Sequence, residues 1–106
     1  MGNEQGRLQQ TFREEARELL LQAEQLLVEL ERAPGDREKL DQLFRALHTL
    51  KGSGGMVGLH RLSNFTHHFE ELFSRLRSGD LALDHALTDL TLEACDHIRR
   101  LAEAED

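Results

Sequence analysis

The chain has 106 residues, 39% of them hydrophobic and 31% charged, with a net charge of −7. That length supports one compact core and is too short for two, and the apolar content is too high for a disordered chain. The acidic balance argues against nucleic acid or an anionic membrane surface as a partner, since both demand clustered Lys and Arg. No apolar run approaches membrane-spanning length, and the opening "MGNEQGRLQQ" carries no apolar signal segment. A single cysteine, Cys95, cannot form an internal disulfide. A cytoplasmic domain is the expectation.

Residues 1–10 are expected to be flexible. Thr11 followed by Glu14 is a capping-box pattern, so the first helix is predicted over about 11–32, with Phe12, Ala16, Leu19, Leu20, Ala23, Leu26, Leu27 and Leu30 forming one apolar stripe. "RAPGD" stops it: Pro34 and Gly35 break the helix, and Asp36 can cap the next. The second helix, about 36–51, carries Leu40, Leu43, Phe44, Leu47 and Leu50 on one face and is expected to end in "KGSGG". A third, about 58–78, carries Leu59, Leu62, Phe65, Phe69, Leu72, Phe73 and Leu76. "SGD" closes it, with Gly79 as a left-handed cap. The fourth, about 83–103, carries Leu83, Leu87, Leu90, Ala94, Ile98 and Leu101, and the terminal "AEAED" is expected to fray. Four stripes joined by short turns bury one another as an all-α, antiparallel up-and-down four-helix bundle over residues 11–104. A short extra helical turn at the C-terminus is compatible with that fold.

His48 interrupts an otherwise ordinary amphipathic helix. At about 100° per residue it falls on the border of the Leu43–Leu47 stripe. A ring there can turn one nitrogen toward the bundle and the other toward water, as a nucleophilic imidazole requires: one nitrogen held as N–H donor, a lone pair on the other. A lone border histidine is ordinarily a surface residue, but its neighbours favour chemistry. Lys51, three residues on, can reach an anionic group attached to the ring and offset the unfavourable macrodipole at a helix C-terminus. Gly52, four residues on, leaves space for another protein's backbone, or else is a C-cap.

On the third helix His67 and Glu70 sit three residues apart. A carboxylate there can accept the inward N–H of His48, with His67 doing the same or holding Glu70; an ordinary surface ion pair is the competing explanation. His60, His68, His85 and His97 read as surface residues and Cys95 as buried packing.

"FRALHTLKGSGGMVGL" followed by "THHFEEL" resembles the histidine phosphotransfer (HPt) domain of the chemotaxis sensor kinase CheA family, and the resemblance extends from "FREEARELL" through the fourth helix. It departs mildly at Ser53, where many relatives have Gly or Ala, and in "HRLSNF". The resemblance implies that His48 is phosphorylated, that Lys51 and Gly52 support it, and that His67 and Glu70 orient it. It further implies two partners in a chemotaxis phosphorelay. A histidine kinase catalytic domain delivers the phosphoryl group, and a response-regulator receiver domain (CheY- or CheB-like) takes it on an aspartate. The sequence holds no Gly-rich nucleotide loop and no Mg²⁺ cluster, so ATP and Mg²⁺ are expected on partner domains. No cofactor or metal is expected here, and the resemblance favours a fragment of a longer kinase. Phe44, Gly52 and Gly55 are the candidate docking positions on a monomeric domain. Two alternatives remain: a metal-binding four-helix bundle, although the pairs His67–Glu70 and Glu93–His97 do not repeat the Glu-x-x-His pattern of dinuclear carboxylate proteins on two helices, and a structural dimerisation bundle.

Overall fold

Four helices, α1 (Asn3–Arg32), α2 (Arg37–Met56), α3 (His60–Ser78) and α4 (His85–Glu103), make up the computed structural model, which describes residues 3–104. Consecutive helices pack on one another and α4 closes back on α1. The result is a rod of 48 × 20 × 20 Å. This is the expected all-α four-helix bundle, and no strand occurs among the described residues. Nor is any helix among them long and apolar enough to cross a membrane.

The stripes meet along the rod axis. Leu20, Leu27 and Leu30 of α1, Leu43, Leu47 and Leu50 of α2, Leu62 and Phe73 of α3, and Ile98 of α4 are each 1% exposed or less. Each such side chain contributes about 1.5–3 kcal/mol over its exposed state. Two of the predicted terminators act as read: Asp36 accepts from Lys39 N at 3.2 Å to start α2, and Gly79 ends α3 at φ +90°. Cys95 is buried, as expected.

The ends of α1 and α2 differ from the sequence reading. α1 begins at Asn3, so residues 3–10 are helical and Thr11 lies inside the helix, where no capping box forms. The cause is distant in sequence. Gln5 and Gln9 both donate to Val57 O at 2.9 Å, tying the first turns of α1 to the end of α2. Residues 1–2, and residues 105–106 of "AEAED", lie outside the described residues, as does any extra turn beyond Ala104.

α2 does not stop at "KGSGG" but runs to Met56, with Gly58 at φ +87° completing the turn into α3. Interior glycines each weaken a helix by roughly 0.5–1 kcal/mol, so packing has to hold this last stretch. A Cβ on Gly54 would lie 2.7 Å from Leu62 and 3.3 Å from Phe12, so its missing side chain allows three helices to converge there.

The predicted stripe of α4 is buried at Ala94 and Ile98 but not at Leu90. Leu90 is 50% exposed while Thr88 and Thr91 are buried. Their hydroxyls donate to Asp84 O and Leu87 O, one turn back, at 3.0 and 2.8 Å. That bond removes the penalty for burying a hydroxyl.

Candidate functional site

α2 and α3 carry the site between them. His48 projects from the middle of α2 with its side chain 62% exposed, and Glu70 lies opposite it on α3 at 9%. Nδ1 of His48 hydrogen-bonds Oε2 of Glu70. An ionised carboxylate only accepts, so the proton of that bond sits on Nδ1 and the lone pair is left on Nε2. Burial alone would raise the Glu70 pKa, but the hydrogen bonds from Lys51 and His48 outweigh it and hold the carboxyl below its usual value.

Lys51 reaches the same carboxylate. Its ammonium lies 2.7 Å from Oε1 of Glu70, bound to the carboxylate rather than poised over the ring. Ser63 fixes the backbone beneath it, its hydroxyl donating to Lys51 O at 2.9 Å. His67 joins Glu70 rather than His48: its Nδ1 lies 3.4 Å from Glu70 Oε1, and its Nε2 lies 2.9 Å from Glu71 Oε1. Glu70 is thus the hub that His48, Lys51 and His67 all reach.

The chain has known relatives. The family model for the Hpt domain matches residues 7–104. The chain belongs to the Hpt domain family. Chemotaxis protein CheA of Treponema pallidum is 39% identical over 97% of this chain, and CheA of Salmonella typhimurium 38% identical over 90%. The chain spans 12% and 14% of those two relatives' lengths. The solved CheA phosphotransferase domain from Thermotoga maritima superposes with a TM-score of 0.85 at 32% identity, covering 90% of each chain. The resemblance read from "LHTLKG" and "HHFEEL" is therefore borne out.

The glycines of this Hpt domain divide by environment. Gly52 is exposed, and a Cβ there would meet nothing within 4 Å, so the space beside His48 is open. Gly55 faces inward, where a Cβ would lie 3.1 Å from Ser63 Oγ. It serves α2–α3 packing, which leaves less of it for a partner than the sequence reading assumed.

Phe44 flanks the histidine, the two rings stacking at 6.2 Å between centroids and 15° between planes. Sequence reasoning missed what holds it. The Arg77 guanidinium lies 3.8 Å from the Phe44 ring centroid, and Asp41 holds Arg77 at 2.6 Å. The available signal was spacing: Arg77 follows Glu70 by two helical turns and so shares its face of α3.

His68 lies beside His67, with 6.2 Å between ring centroids, while His97 and His85 make contacts of their own. His97 packs edge-on against Phe65 at 4.6 Å. His85 is more engaged than a plain surface residue: its two ring nitrogens each lie 3.2 Å from a carboxylate, Glu31 on one side and Asp89 on the other. The Glu31 hydrogen bond, with both carboxylate charges, raises its pKa. Among the described residues these three form the one cluster with metal-ligand spacing, and all three are exposed. It does not coincide with His67–Glu70 or Glu93–His97, the pairs the metal-binding alternative invoked.

Proposed function

We propose that this chain is the phosphoryl carrier of a chemotaxis-type two-component relay, with His48 as the residue that bears the phosphoryl group. The observation that carries the reading is the Nδ1 hydrogen bond from His48 to a buried, ionised Glu70, with the rest of the ring exposed. Nε2 then holds an available lone pair and attacks the γ-phosphorus of ATP held by a partner histidine kinase domain, which supplies nucleotide and Mg²⁺. The N–P bond forms as the bond to the ADP oxygen breaks. Positive charge develops on the imidazole during attack, and the Glu70 carboxylate stabilises it through the Nδ1 proton.

In the second step a carboxylate oxygen of a response-regulator aspartate attacks the same phosphorus, and Nε2 leaves with its electron pair as the neutral imidazole. Glu70 holds the same tautomer throughout, so no proton has to move on Nδ1. Lys51 screens Glu70 before transfer and is near enough on the same helix to meet phosphoryl oxygens after it. Gly52 is the notch through which the receiver domain approaches. Phe44 supplies apolar contact, because an acidic domain gains little from its net charge against an acidic receiver pocket. A cytoplasmic location follows from this role.

The test is to incubate the chain with a chemotaxis histidine kinase and labelled ATP, then map the label. Acid-labile, alkali-stable phosphate on residue 48, absent from His48→Gln, supports the reading. Label elsewhere removes it.

A further inference from the structure

Glu70 and Arg77 occupy one face of α3, two turns apart, and α2 answers each of them. His48 meets Glu70, while Phe44 and Asp41 meet Arg77. The first junction fixes one atom of the imidazole. With most of the side chain exposed, a single hydrogen bond leaves the ring able to swing about the line of that bond. A second constraint has to come from a neighbour, and the Phe44 ring lies alongside in near-parallel orientation.

Phe44 is itself only partly buried, so the core alone does not hold it. Arg77 does. Its guanidinium covers the Phe44 ring at 3.8 Å, and its Nη1 is tied to Asp41 Oδ1 at 2.6 Å. Asp41 is braced in turn by Arg45 at 2.6 Å. The ladder Asp41–Arg77–Phe44–His48 thus runs from a cross-helix ion pair to the side of the reactive ring.

We propose that Arg77 is a positioning residue for phosphoryl transfer at His48, acting through the wall that Phe44 forms beside the imidazole. The inference rests on the carrier function proposed above. A direct docking role fits less well, because the Arg77 charge is already satisfied within the chain by Asp41 and by the Phe44 face.

The experiment compares wild type, Arg77→Ala, Arg77→Lys and Asp41→Asn, each checked for a cooperative thermal transition. One arm measures carbon-13 relaxation of the His48 ring by NMR and needs no partner. The other measures kcat and KM for phosphorylation by a chemotaxis histidine kinase with ATP. For Arg77→Ala the expected result is a more mobile His48 ring and a kcat lowered roughly ten- to a hundredfold at unchanged KM. Arg77→Lys, which keeps a cation over the ring, recovers most of both, and Asp41→Asn falls between. Should Arg77→Ala fail to fold, the other two variants carry the same comparison.

An unchanged kcat, a raised KM with normal kcat, or a lowered kcat with an unaltered ring would each overturn the proposal. The middle result would make Arg77 a docking residue. If wild type takes no label at His48, it is the carrier reading that fails, and the relaxation arm still decides whether Arg77 holds the ring.

Discussion

Nδ1 of His48 and Oε2 of Glu70 are joined across the α2–α3 seam, the first on an exposed side chain and the second on a buried one. That asymmetry divides the labour between them. The buried member has its environment fixed by the core, so it can dictate the tautomer and direction of the exposed member, which the proposed carrier role requires to stay reachable. A charge-assisted hydrogen bond contributes about 1.5–3 kcal/mol. If the whole of it acts in the transition state, removing it slows phosphorylation by about ten- to a hundredfold. Glu70→Ala is therefore expected to lower the rate of His48 labelling by that factor while the bundle still folds. Labelling at the wild-type rate would take Glu70 out of the mechanism.

Acid should act on the same contact. The folded-state pKa of Glu70 is lowered, because hydrogen bonds from Lys51 and His48 outweigh the effect of burial. A lowered value means that its contribution to stability is fully present above the ordinary glutamate pKa. It is lost as pH falls through the folded-state value. Denaturant unfolding of wild type and Glu70→Gln across the acid range should show wild type losing its advantage below the ordinary glutamate value. A stability difference constant with pH would show that the carboxylate is not held as described.

Two glycines that look alike in "KGSGG" should respond oppositely to alanine. Gly52 lies inside α2 with open space around it, so Gly52→Ala is expected to stabilise the fold by about 0.5–1 kcal/mol through helix propensity. At Gly54 the same change places a Cβ 2.7 Å from Leu62 and 3.3 Å from Phe12, both buried. Overpacking of about 1–3 kcal/mol then outweighs the propensity gain, and destabilisation is the net outcome. Denaturation midpoints read both signs directly. Gly52→Gln completes the comparison: it should remain folded and take label, yet transfer poorly to a receiver domain. Normal transfer would show that the receiver does not use the notch.

Much of this was legible because it was local. Asp36 and Gly79 punctuate the chain through their own chemistry, and the apolar stripes of α1 to α3 gave the bundle by periodicity alone. What escaped was set by residues far apart in sequence. Thr11 and Glu14 have the pattern of a cap, but Gln5 and Gln9 extend α1 past them by bonding Val57, some fifty residues on. The glycines after Lys51 have the composition of a terminator, yet α1 and α3 press close enough to keep them helical. On α4, Leu90 outscored Thr88 and Thr91 by apolarity, while the hydroxyls bonded their own backbone and went inside. Within the site, the His48–Glu70 pairing could be anticipated from residue types. That Lys51 binds Glu70, and that Arg77 covers Phe44, depended on the register between two helices.

Cys95 offers a test of the core that is independent of the phosphoryl chemistry. The thiol is 1% exposed on α4, and burial, reinforced by the charge of Glu24, pushes its pKa up to about 12. Thiolate is the reactive form, so at neutral pH the native side chain is both shielded and protonated. Reaction with a thiol reagent must then await an opening of the bundle, and its rate reports that opening. Alkylation at neutral pH is expected to be negligible over minutes in native buffer and rapid once denaturant passes the unfolding midpoint. Gly54→Ala, which strains the packing, should react faster than wild type under native conditions, and Gly52→Ala no faster. Prompt native labelling of wild type would mean that α4 does not close on α1 tightly enough to seal this part of the core.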